Sequence, residues 1–157
     1  FHNEARNIRY HFFGDMIKKY NAKCLMTAHH GDDLMETVLM RIARGSTLKG
    51  YSGFAEETFY DDYKIVRPML YLTKKEVSDY NKQNKIKFVT DKSNFKTKYT
   101  RNRYRKFVLP FLKKEDKNIH LKFIKFSKTL EEYSDYIDNK MRDGSSAQKQ
   151  YYVSPTV

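Results

Sequence analysis

Hydrophobic positions along the chain alternate between helical spacing and short apolar runs. From Glu4 to Tyr20 the pattern predicts a helix, with Ile8, Phe12 and Ile17 as its apolar stripe, Phe13 and Met16 beside it, and Asn3 as a candidate N-cap. Lys23 to Ala28 is short and apolar, as a buried parallel strand would be. Asp33 to Arg44 predicts a second helix on Leu34, Val38 and Ile42, with Gly45 as its C-cap. A glycine-bearing loop, Gly45 to Gly53, follows. Phe54 to Pro68 then reads as two strands around Asp61-Asp62. Thr73 caps a helix reaching about Asn84, with Glu76 as its capping-box partner. Phe88-Val89 suggests a short strand, Thr90 to Asn102 a polar loop, and Arg103 to Leu112 a short helix broken at Pro110. Asn118 to about Met141 predicts a long helix with Leu121, Ile124, Leu130, Tyr133 and Ile137 on or near one face. The polar tail from Asp143 is expected to be loose. Helix, strand and helix in this order argue for an α/β fold with a parallel sheet and a helical extension.

Composition changes the picture in two ways. The 157 residues carry 31 basic and 19 acidic side chains, a formal charge of +12, which points to a polyanionic partner and first to nucleic acid. The single cysteine, Cys24, excludes a disulfide framework within the chain and a multi-cysteine metal site; in its apolar run it reads as a small buried hydrophobe. No stretch approaches the roughly 18 apolar residues of a membrane span, and no signal peptide is present, so the default expectation is a cytoplasmic protein.

The candidate chemistry begins where the first strand gives way to the second helix, at Thr27-Ala28-His29-His30-Gly31-Asp32-Asp33-Leu34-Met35-Glu36-Thr37. Ligand sites of α/β sheets form at such strand ends. Asp33 and Glu36 share a helix face and suit a cationic ligand or a share in holding Mg²⁺, while their place in a first turn also fits a cap and the helix dipole. Adjacent histidines on an extended turn point opposite ways, so no dedicated metal site is expected from His29, His30, Asp32 and Asp33. Arg6, Arg9 and Tyr10 share one face of the first helix, as phosphate-facing groups or as a solvated surface. From Tyr99 to Lys106, Arg101, Arg103 and Arg105 alternate with tyrosines and Asn102, a pattern suited to phosphates and stacked bases, and Lys96, Lys98, Lys113, Lys114 and Lys117 extend the field.

Read in order, Glu4-Ala5-Arg6-Asn7-Ile8-Arg9-Tyr10, the His-His-Gly-Asp-Asp-x-x-Glu-Thr block, Arg44-Gly45-Ser46, Arg67-Pro68-Met69-Leu70, Asp91-x-Ser93-Asn94, Tyr99-x-Arg101-Asn102-x-x-Arg105 and Leu109-Pro110 resemble the bacterial tRNA(Ile)-lysidine synthases of the PP-loop ATPase family. The resemblance implies a partial Rossmann-like parallel sheet, with 1–112 the remainder of the PP-loop domain and 113–157 a helical linker or the start of a following domain. It implies an ATP- and Mg²⁺-dependent ligase. ATP adenylates C2 of the wobble cytidine in the CAU anticodon of tRNA(Ile), and L-lysine then replaces AMP. By the same resemblance Asp33 and Glu36 hold lysine, Arg6 faces the ATP phosphates or the adenylate, and His29 lines the active site. Arg101, Asn102, Arg105 and Tyr99 contact tRNA. The family's Ser-Gly-Gly-x-Asp-Ser loop does not occur in these residues, so the expectation is a piece of a longer protein, inactive by itself. Two other readings stand beside this one: a non-catalytic RNA-binding module, and a PP-loop 2-thiocytidine synthase, which Cys24 alone does not equip for sulfur chemistry. The oligomeric state is open, a homodimer included.

Overall fold

The computed structural model describes residues 2–60, 62–89 and 97–150, with side chains described from Glu4 to Asp143. Asp61 of the expected turn, the Asp91 to Asn94 motif, Lys96 and the side chain of Asn3 lie outside them. The elements are α1 (His2–Lys19), β1 (Cys24–Met26), α2 (Gly31–Arg44), α3 (Leu48–Tyr51), β2 (Glu57–Tyr60), β3 (Tyr63–Val66), α4 (Lys74–Gln83), α5 (Thr100–Arg103), a π-helical turn (Tyr104–Val108), α6 (Leu109–Glu115) and α7 (Ile119–Gln150).

The sheet has the order β1-β3-β2. β1 runs parallel to β3, pairing Leu25 with Ile65. β2 returns antiparallel to β3 as a hairpin, pairing Tyr60 with Tyr63. α2 makes the crossover between the parallel strands, the unit that the alternation of helix and strand implied. Its apolar line, Leu34 and Val38, joins Leu70 and Ile124 in the larger buried cluster, with Phe54 and Phe123 packed against it. α7, beyond residue 112, therefore contributes to the same core as α2. A second cluster, Tyr10 with Tyr63 and Ile65, seats α1 on the sheet, and Tyr63 Oη donates to the Tyr10 carbonyl at 3.3 Å.

Helix faces depart from the expected ones where the apolar residues outnumber the buried positions. α1 buries Tyr10, while Ile8 and Phe12 are 66% and 54% exposed. Each of these is two residues from Tyr10, hence about 200° round the helix and on its far side. On α7 the buried line is His120, Ile124, Ser127 and Ser134; Leu121, Tyr133 and Ile137 are exposed. Small and polar side chains let α7 approach the loop after α3, where Ser127 Oγ donates to the Ser52 carbonyl. α7 also continues to Gln150, past the expected end near Met141. Gly144 alone lowers helix propensity by about 1 kcal/mol and does not stop a helix this long. Phe88 and Val89 form no strand; the described sheet consists of β1, β3 and β2. α3, a single turn capped by Thr47, arises inside the expected loop. The Thr73–Glu76 capping box forms as the sequence implied.

Candidate active site

The strand end is built by backbone first. Gly31 opens α2 where an added Cβ would meet the His120 Cβ and the Leu70 carbonyl oxygen at 3.0 Å each, so a larger residue would force α7 or the loop after β3 to give way by a few tenths of an ångström. His30 is the N-cap. Its ring accepts the Asp33 amide, and the Asp33 carboxylate accepts the His30 amide at 3.1 Å. Asp33 thus caps with His30, not with Glu36 as its spacing suggested.

The first turn of α2 then presents a line of carboxylates to one arm of the chain, residues 100–115. Glu36 has no exposed surface. Arg105 grips it with two bonds, Nε to Oε1 at 2.6 Å and Nη2 to Oε2 at 3.0 Å. Arg101 Nε lies 3.3 Å from Oε2, and its Nη2 donates to Thr37 Oγ1 at 2.8 Å. Asp33 lies 3.7 Å from Arg105 Nη2. At the end of the line, buried Asp32 accepts Lys113 Nζ at 2.6 Å and the Lys74 amide at 3.3 Å. Burial pushes the Glu36 carboxyl above its ordinary value against the pull of Arg105, while the bond to Glu36 strengthens the hold of Arg105 on its proton.

The π turn makes this matching possible. Twelve residues of α-helix would carry Lys113 about 120° away from the face of Arg101. The wider turn over Tyr104–Val108, closed by the Leu109 amide on the Tyr104 carbonyl, takes back much of that rotation. Arg101, Arg105 and Lys113 then all meet α2, one after another, in antiparallel sense.

Behind Arg101 opens a cleft of about 460 Å³, lined among others by Arg6, His29, Thr37, Arg41, Phe54 and Arg67. Four guanidinium groups line it and, among the described residues, no carboxylate does. Arg41 donates to the carbonyls of Gly50 and, at 2.8 Å, Gly53. Arg67, 6% exposed, donates to the Ala55 carbonyl at 2.7 Å and to Thr58 Oγ1 at 2.9 Å, and lies over the Phe54 ring. Neutral acceptors leave both charges uncompensated. Burial first, and Arg6 among the further causes, lowers both of their pKa values. Such a cleft attracts an anion, and its rings suit a flat heterocycle. Among the described residues no group of three His, Cys, Asp or Glu is placed to hold a metal ion.

The model of the PP-loop domain matches residues 1–112. The chain belongs to the PP-loop family. It is also similar to curated tRNA(Ile)-lysidine synthases: 47% identical over 133 residues to one from Bacillus cereus, covering 85% of this chain and 28% of the relative. The Bacillus subtilis strain 168 protein is 42% identical over 139 residues, 88% of this chain and 29% of its own length. The Geobacillus kaustophilus protein is 37% identical over 140 residues, 88% of this chain and 30% of its own length. This PP-loop chain thus spans less than a third of each of these relatives.

Within it, Arg6, His29 and Arg101 line the cleft together, while Asp33, Glu36 and Arg105 form the ion-paired wall beside it. Tyr99 precedes α5 and is 44% exposed; Asn102, on α5, is half-buried. The guanidinium groups of Arg101 and Arg105 turn inward onto Glu36. Phe54 and Thr58 are lining residues that sequence reasoning did not single out. Arg41 was legible as the next turn of the Asp33-Thr37 face, whereas Phe54 and Thr58 carried no local signal. No helix among the described residues is long and apolar enough to cross a membrane.

His29 sits with Nδ1 2.8 Å from Thr27 Oγ1 and its ring 5.3 Å from that of Phe54. Burial lowers its pKa; Asp33 opposes this, and Arg67, Arg101 and His30 add to it. The unfolded chain protonates this ring near 6.5 and the native state only at lower pH, so its contribution to stability is full above pH 6.5 and fades as the pH falls toward the native value. His29→Asn is therefore expected to flatten the decline of the urea midpoint below about pH 6.5. An unchanged pH slope in the variant would count against this environment for the ring.

Proposed function

We propose that this chain serves a tRNA(Ile)-lysidine synthase, and that the arginine-lined cleft is where ATP, a cytidine and lysine meet. In the first step the C2 oxygen of the wobble cytidine in a CAU anticodon attacks the α-phosphorus of ATP. A C2–O–P linkage forms and pyrophosphate leaves. In the second, the side-chain amine of lysine attacks C2, the C2–O bond breaks, AMP departs and the amine loses a proton. The observation that carries the reading is the cleft itself: guanidinium groups without a carboxylate among them, beside a wall of carboxylates at a strand end.

Arg6, Arg41, Arg67 and Arg101 face the polyphosphate and the charge that builds on the leaving groups. His29, kept unprotonated by burial, is the imidazole on hand to receive the amine's proton. Asp33, 16% exposed at its side chain, meets the lysine ammonium. Glu36 keeps Arg101 and Arg105 in place, and an ammonium reaching it displaces a guanidinium group. Mg²⁺ travels with the nucleotide in this family resemblance, but Asp32, Asp33 and Glu36 each have a basic partner here. These carboxylates do not fit a seat for the ion.

The intact protein with ATP and tRNA(Ile) is expected to release pyrophosphate, and to release AMP only when lysine is added. Arg6→Ala is expected to lower kcat/KM by about 10²–10³-fold, the size of losing one preorganised donor to developing charge. Lysine-independent turnover, or a wild-type rate in Arg6→Ala, would overturn the assignment.

A further inference from the structure

Residues 97–114, most of the arm with the turn before it, contain seven basic side chains and no acid; Glu115 ends the arm. Three of them, Arg101, Arg105 and Lys113, turn inward to the carboxylates of α2. The rest face outward. Arg103 is held by the carbonyls of Thr97 and Lys98, at 3.3 and 3.2 Å, and pairs with no carboxylate among the described residues. Lys106 and Lys114 are exposed and likewise unpaired with a carboxylate among those residues. Between them stand Phe107 and Phe111, 59% and 61% exposed, with Lys106 Nζ 5.3 Å from the Phe107 ring centre. The inward side buries Leu109, so the arm has a packed face and an outer face of two bare rings flanked by cations.

We propose that Phe107 and Phe111, flanked by Lys106 and Lys114, form a stacking platform for unpaired bases of an RNA loop whose target base enters the cleft. This rests on the reading of the substrate as a tRNA. The two rings are one turn apart, about 6 Å along the axis, spaced to take a splayed base each. The lysines meet the phosphates between those bases. Arg101 lines the cleft on the inward side of the arm and the two rings lie roughly opposite it, so a strand with one nucleotide in the cleft crosses the arm to set bases a few nucleotides away on this face. Uncompensated positive charge beside the rings selects a polyanion with flat groups over an apolar protein segment.

The test uses the intact protein, an anticodon stem-loop RNA with a CAU loop, and a fully paired duplex of the stem as control. Phe107→Ala with Phe111→Ala is expected to weaken stem-loop binding about 10- to 100-fold and to leave duplex binding unchanged. Tyrosine at both positions is expected to restore it. Lys106→Gln with Lys114→Gln is expected to reduce the slope of log K against log salt by about 1–2. Stem-loop binding by the alanine pair within about twofold of wild type overturns the platform. So does recovery by leucine at both positions, or a fall in thermal stability with no loss of RNA affinity, since these mark the rings as packing for protein. If the wild type binds and modifies the RNA while the alanine pair matches it, only the platform falls. If the wild type binds neither RNA, the reading as a tRNA enzyme falls with it.

Discussion

Arg105→Met is expected to destabilise the intact protein by about 3–5 kcal/mol, far more than its half-buried position suggests, because it strands a buried charge. Glu36 has no exposed surface, and Arg105 supplies two of the three close contacts on its oxygens. The reverse change, Glu36→Leu, is expected to cost only about 1–3 kcal/mol. Its guanidinium partners are 25% and 45% exposed and can turn back to water. The double variant Glu36→Leu/Arg105→Met is then more stable than Arg105→Met alone. Acid should also rescue the single variant in part. Burial already raises the Glu36 pKa, and loss of Arg105 raises it further, so the native state gains a proton and stability as the pH falls through that value toward 4.5. Urea unfolding at about pH 7.5 and about pH 5.5 measures both effects. Equal losses for the two single variants would sink the asymmetry.

Gly53→Ala is expected to lose about 2–4 kcal/mol, from left-handed backbone and from overpacking together. Its φ is +80°, and an added Cβ would lie 2.7 Å from Leu34 Cδ1 and 3.1 Å from Val38 Cγ2, both on fully buried side chains. The Gly53 carbonyl also holds Arg41 in the floor of the cleft, so the strain falls on the anion site as well as on the core. Leu34→Ala makes room. Thermal melts are expected to show a smaller cost for Gly53→Ala in that background than in the wild type. A cost that is the same in both backgrounds would rule out the clash as its cause.

What could be read from the sequence was local. α2 and α4 carry their own instructions in the spacing of Leu34 and Val38 and in the Thr73–Glu76 box, and both form as expected. The aromatic-rich helices do not. Tyr10 outcompetes Ile8 and Phe12 for the sheet because Tyr63 offers its ring and hydroxyl on β3, a partner more than fifty positions away in sequence. On α7 the serines, not the tyrosines, face inward, since close approach to the Ser52 carbonyl favours a small donor. At the site, the acids crowded at α2 and the arginines after Tyr99 are the two stretches that the fold brings into contact. That the two regions neutralise each other could not be read from either alone. Charge pairing across the fold depends on the π turn, and no residue in Tyr104–Val108 announces it.

That turn also sets what lengths of arm the molecule tolerates. Removal of a single residue between Arg105 and Lys113 would let the segment relax into ordinary α-helix and leave Lys113 on nearly the same bearing, still toward Asp32, because the wide turn already absorbs about one residue's rotation. An insertion that formed no second wide turn would instead swing Lys113 about 100° round the axis, off Asp32. The arm's ion pairs therefore survive the loss of one residue at the wide turn and are broken by the gain of one, while its outward side chains take no part in that register.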